Sequence, residues 1–157
     1  MAVEVANESG LAVDEEALLA LSRSVLTALH VHPGAELSVV CVDEAAMAQL
    51  HEEWMDLPDA TDVMSFPMDE LRPGTEDSPS PEGLLGDIVI CPQVAAVQAA
   101  RGGHSTQDEI LLLVTHGLLH LLGFDHEEAE EKTEMFTLQH RLLSDFLGRD
   151  APDPTED

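Results

Sequence analysis

Three of the chain's eight histidines fall in one short stretch, Thr115-His116-Gly117-Leu118-Leu119-His120-Leu121-Leu122-Gly123-Phe124-Asp125-His126. In a helix, His116 and His120 lie one turn apart on one face, with Cβ atoms about 6 Å apart. Both imidazoles then reach a common ion at about 2.0–2.1 Å, the usual zinc–histidine bond length. His126 is different. On a continuous helix it would sit about 15 Å farther along the axis and off that face, so it joins the same ion only if the chain turns back. Gly123 supplies that turn, because glycine takes the left-handed conformation that ends helices. A lone His-x-x-x-His pair is a weak signal, and a single histidine is ordinarily a hydrogen-bonded core residue. The combination is stronger. Two imidazoles walled by Leu and Val are costly unless satisfied, and a third follows just past the glycine.

Three neutral imidazoles leave the fourth position of a tetrahedral zinc open, as in catalytic sites, whereas structural sites are usually closed by Cys. A water in that position has its pKa lowered toward about 7, which makes hydroxide available for hydrolysis. The expectation is one Zn2+ held by His116, His120 and His126. The spacing equals the metzincin protease signature H-E-x-x-H-x-x-G-x-x-H, except that Gly117 stands where the general-base Glu belongs, so a metalloprotease is the less favoured hydrolase. Asp125 either orients an imidazole from behind or shapes the turn. Asp62 and Ser65 are candidates to line the cleft beside the metal, against an alternative of strand-end hydrogen bonding. Asp87, inside an apolar run, is expected to need a buried partner. Glu127 and Glu128 fit a helix start, and His51 and His104 have no assigned role.

These residues need elements to hold them. Val3 and Val5 suggest a short strand over residues 1–8, closed by turn residues at 7–10. Asp14 caps a helix over 15–30 with Leu18, Leu21, Val25 and Leu29 at helical spacing, and His32-Pro33-Gly34 ends it. Residues 36–42 form a buried strand, and Asp43 caps a helix reaching Met55. Thr61 to Phe66 is a strand that Pro67 either ends or places at an edge. Residues 69–83 are a solvated loop, 84–91 another strand, and Pro92 opens a helix to Gly102-Gly103. Ser105-Thr106-Gln107-Asp108 fits a capping box for a buried helix over 106–122, apolar on nearly all sides. A last helix spans 127–147, and the acidic tail from Gly148 is expected to fray. No internal repeat is present.

The 157 residues suit one domain, and 44% hydrophobic content allows a real core, built from aliphatic residues because there are four Phe, one Trp and no Tyr. The formal charge of −26, from 32 acids and 6 Lys+Arg, argues against a broad electrostatic grip on nucleic acid. It fits a generally acidic, salt-adapted proteome better than any specific role. Cys41 and Cys91 are expected as buried thiols rather than a disulfide. The start of the chain lacks the features of a signal peptide, and Ile110–Phe124 is too short to span a bilayer, so the expectation is a cytoplasmic protein with no membrane contact.

The sequence resembles the YbeY family of bacterial endoribonucleases. His116 to His126 matches that family's H-G-x-L-H-L-x-G-[YF]-D-H signature. Thr61-Asp62-Val63-Met64-Ser65-Phe66-Pro67 resembles its T-D-V-L-S-F-P strand, and Leu85-Gly86-Asp87-Ile88-Val89-Ile90 its L-G-D-I-x-I strand. The blocks occur in family order. The resemblance implies an α/β (α+β) fold: a single domain over 1–147, a mixed, mostly four-stranded sheet packed with helices, and a central helix bearing a zincin-like site, followed by an acidic tail at 148–157. It implies single-strand-specific, zinc-dependent RNA hydrolysis in 16S rRNA 3′-end maturation and ribosome quality control. Where the family usually carries an Arg before the T-D-V block, this chain has Met55, and Arg72 and Arg101 are the candidates to replace it. Two other readings stand beside this one. A ribosome-assembly binding factor with a mainly structural metal would suit an acidic surface facing basic small-subunit proteins. Hydrolysis of a peptide or other small substrate is the third.

Overall fold

The helices begin where short polar side chains can satisfy their free amides. In the computed structural model, which describes residues 2–154, Asp14 accepts from the Ala17 amide at 3.1 Å to open α1 (Glu15–Ala28). Asp43 does the same for Ala46 at 2.9 Å to open α2 (Glu44–Met55). The strands are β1 (Ala2–Asn7), β2 (Glu36–Cys41), β3 (Val63–Pro67) and β4 (Leu84–Ile90). They form one sheet in the order β1-β2-β4-β3. β1, β2 and β4 run parallel, and β3 is antiparallel to β4. β3 is an edge strand, and Pro67 both ends it and lies at that edge, where no ladder amide is missed.

Pro92 opens α3 (Pro92–Gly102). Ser105 accepts from the Asp108 amide at 3.1 Å to open α4 (Thr106–Leu121). Every residue of α4 from Glu109 to Leu119 is buried. This helix packs on β3 and β4 and also touches α1, α3 and α5 (Ala129–Leu147), so its apolar residues on all sides each have a partner. Its buried acid, Glu109, pairs with His104 Nε2 at 2.6 Å, which gives His104 a structural role. The main core joins Leu18, Leu21 and Leu26 of α1 to Ile88 and Ile90 of β4 and to Leu118, Leu119 and Leu122. A smaller cluster under α2 joins Met47 to Met64, Val89 and Cys91.

Three local expectations change. The last helix starts at Ala129, not 127, with Glu128 as its cap. Asp87 is exposed rather than buried, because α2 covers only part of the far sheet face and leaves Asp87 facing outward beside Ser38 and Glu36. The first residues after Gly148 are held, not frayed. The Arg149 guanidinium donates to both Asp108 oxygens at 3.0 and 2.8 Å, and buried Ala151 donates its amide to Ser144 Oγ at 3.0 Å. Cys41 and Cys91 are free and buried, and burial raises both thiols, Cys41 to about 11. No helix among the described residues is long and apolar enough to cross a membrane.

Candidate metal centre

The reversal that His126 requires is built from backbone hydrogen bonds. Gly123 adopts φ +94°. Its amide donates to the His120 carbonyl at 3.0 Å, and the Phe124 amide donates to the Leu119 carbonyl at 3.0 Å. This pair of bonds is the Schellman ending of a helix, which needs a left-handed residue at the glycine position. The chain beyond it swings back and brings His126 beside the two helical histidines. One ring nitrogen from each of His116, His120 and His126 lies within 4.8 Å of the other two. Ring centroids are 4.5 Å apart for His116–His120, 5.4 Å for His116–His126 and 5.2 Å for His120–His126.

Hydrogen bonding sets the tautomers. His116 Nδ1 lies 2.8 Å from Gln139 Oε1, and His120 Nδ1 lies 3.1 Å from the Phe124 carbonyl. Both partners are acceptors, so each Nδ1 carries the proton and each Nε2 presents a lone pair. Those two Nε2 atoms face each other at 3.0 Å. Two opposed lone pairs repel unless a cation sits between them. Nitrogens bonded tetrahedrally to zinc at about 2.05 Å stand about 3.3 Å apart, close to this spacing. The donor set therefore fits a divalent metal of the zinc type.

Electrostatics point the same way. Burial, aided by the charge of neighbouring His120 and opposed by the Gln139 hydrogen bond, lowers His116 to about 4. Burial and then His126 lower His120, against the pull of Asp125. Both rings are neutral at physiological pH, the state a metal ligand needs.

The histidines form one wall of a cleft of about 540 Å³. β3 and the two residues before it, Thr61 and Asp62, supply a second wall, and His51, Trp54 and Met55 of α2 a third. Asp62 is 2% exposed. Its Oδ1 accepts from the Val63 amide at 2.7 Å and from the Thr61 hydroxyl at 3.3 Å, while its Oδ2 is buried without a partner. Ser65 also faces the cleft, and its hydroxyl makes a long contact of 3.4 Å to the Gly117 carbonyl. Asp125 Oδ1 accepts from the His126 amide at 2.7 Å, so its bonded role is in the turn. Neither Arg72 nor Arg101 lines the cleft. Arg72 lies against Gly123 and donates to the Glu70 and Leu71 carbonyls.

Two participants were not assigned from the sequence. Gln139 sits far along the chain on α5, and nothing in its local pattern marks it as the partner of a histidine. His51 was noted without a role. It belongs to the cleft, with Nδ1 held by the Asp59 carbonyl at 2.6 Å.

Comparison with known proteins places this geometry in a family. An Endoribonuclease YbeY from Micrococcus luteus is 65% identical over 155 residues, covering 99% of this chain and 98% of that protein. One from Renibacterium salmoninarum is 64% identical over 155 residues, covering 99% of each. The solution structure of TM1509 from Thermotoga maritima superposes with a TM-score of 0.63 at 25% identity, covering 93% of this chain and 89% of that one. The family model described as Endoribonuclease YbeY matches residues 4–147, and the chain belongs to that family.

Proposed function

We propose that this protein is a zinc-dependent endoribonuclease that cuts single-stranded RNA in the cytoplasm, acting in 16S rRNA 3′-end maturation and ribosome quality control. The observation that carries the reading is the convergence of three histidines on the wall of an open cleft, in a chain whose relatives are named endoribonucleases. His116, His120 and His126 would hold the ion. A bound zinc supplies Lewis acidity and makes hydroxide available near neutral pH. The chain's own groups do the rest. Gln139 and the Phe124 carbonyl hold the rings in the ligating tautomer. The carboxylate of Asp62, on the cleft wall with its Oδ2 buried, would act on the histidine cluster through its charge. Ser65 offers a donor on the same wall. Asp125 fixes the turn that presents His126.

The test is cleavage of single-stranded RNA by protein of known metal content. Wild type should cut with about one zinc per chain, and His116→Ala or His126→Ala should abolish cutting. A mutant that cuts as well as its parent would assign the activity to a contaminant.

A second reading, a ribosome-assembly binding factor with a mainly structural metal, draws support from the acidic sheet face bearing Glu4, Glu36 and Asp87. Capture of basic small-subunit proteins that survives His120→Ala in a folded mutant would favour it. Peptide hydrolysis loses ground. Gly117 stands where the protease glutamate belongs, and a Cβ there would meet Ser65 Oγ at 3.1 Å and Ile88 at 3.2 Å, so a side chain fits only if these neighbours shift by a few tenths of an ångström.

A further inference from the structure

The nuclease reading leaves open what holds the strand. Among the cleft-lining residues there is no Lys or Arg, and the chain carries a net −26. Phosphate neutralisation, the ordinary source of nucleic-acid affinity, is therefore missing where the strand must lie. The cleft offers something else. His51, Trp54 and Met55 stand at i, i+3 and i+4 on α2 and share one face toward the cleft. Trp54 is 64% exposed and Met55 59%, with Leu57 following at 48%. Phe66 of β3 meets the Trp54 ring edge-to-face at 5.6 Å and 69°, which holds the indole in place without covering it. A large aromatic left in water on the wall of a metal cleft is unusual for a soluble surface.

We infer that Trp54 is the platform on which a base of the RNA stacks, and that stacking replaces the cationic grip in positioning the strand. This rests on the nuclease reading and deepens it. Every base has a flat π-face, so such a platform tolerates any sequence. A base paired within a duplex has both faces covered by its neighbours, so a stacking grip discriminates against double strands by its own physics. The patch is continuous with the histidine wall, which favours a nucleobase over a docked protein as its occupant.

The chain has one tryptophan and no tyrosine, so its intrinsic emission reports Trp54 alone. The full-length protein should be titrated with a short single-stranded 2′-O-methyl oligonucleotide, which cannot be cut, and with the same strand annealed to its complement. The single strand should quench the emission and the duplex should not. Affinity should stay flat or rise with added salt, the opposite of a phosphate-held complex. Trp54→Ala should weaken strand binding about 5- to 150-fold, the span expected for one stacked base. In the cleavage assay the loss should fall on KM more than on kcat, and Trp54→Phe should restore most of it. An unchanged melting temperature in Trp54→Ala would separate this effect from misfolding. The inference is overturned by emission that stays constant as the strand saturates, by Trp54→Ala cutting with an unaltered KM, or by affinity that falls steeply with salt. Loss of ribosomal-protein capture in Trp54→Ala, with no response to RNA, would overturn it in favour of a protein-docking surface. A wild type that cuts no RNA sinks the nuclease reading, while the oligonucleotide titration still decides whether Trp54 stacks.

Discussion

Gln139 does for His116 what the Phe124 carbonyl does for His120: it accepts a hydrogen bond from Nδ1–H and turns the Nε2 lone pair toward the common point. It is 2% exposed, so water cannot replace it. Gln139→Leu keeps the volume and removes the acceptor. Metal affinity should fall about 10- to 100-fold, the usual cost of losing such an outer partner, as measured by competition with a chelator. Gln139→Glu should retain tight binding. The lowered titration of His116 has its own consequence for the metal-free protein. An unfolded histidine takes up its proton near pH 6.5, and the folded one only near 4. In that window the unfolded chain binds more protons, so stability is complete above it and declines on acidification, by up to about 1.4 kcal/mol per pH unit. Denaturant unfolding of metal-free protein should show this slope, and His116→Gln should flatten it.

At the scale of elements, α4 owes its place to the contact of Gly117 with the Ser65–Ile88 pair of β3 and β4. Gly117→Glu recreates the protease motif in sequence alone. Its Cβ would press on Ser65 Oγ and Ile88, which must shift by a few tenths of an ångström, so the variant should lose melting temperature and gain no peptidase activity on a peptide panel. The strands and helices were largely legible because caps and breaks coincide with changes of period: Asp14, Asp43, Pro92, Ser105 and Gly123 all stand where elements begin or end. The clustering of the three histidines was legible because they sit within one stretch of chain and the turn between them needs a glycine. What lay hidden depended on how separate elements meet. Gln139 reaches His116 only through the packing of α5 on α4. His51 and Trp54 join the cleft only because α2 lies beside β3. Asp87 was misjudged because apolar neighbours suggest a strand covered on both faces, and α2 covers just one part of the second face.

Across the whole molecule, the dominant long-range term is self-repulsion among 32 acids. Raising monovalent salt from about 0.01 to 1 M shortens the screening length from about 30 to 3 Å. The Arg149–Asp108 pair would be weakened by the same screening, but an exposed pair contributes only about 0–1 kcal/mol. Relief of repulsion outweighs it. The melting temperature should climb with KCl across this range; a decline would mean that local ion pairs, and not net charge, set the balance.

Two of the three clustered histidines belong to a buried rod, and the third rides on the bend beyond it, exposed from His126 to Glu128. An ion shared among them closes a small ring of chain and clamps that bend from the outside. Chelation would reopen the ring and leave Glu127 and Glu128 free to be nicked by a glutamate-specific protease, while loaded protein resists. Metal content would then decide how long each copy survives as well as whether it works, because an emptied molecule would carry its own cut site.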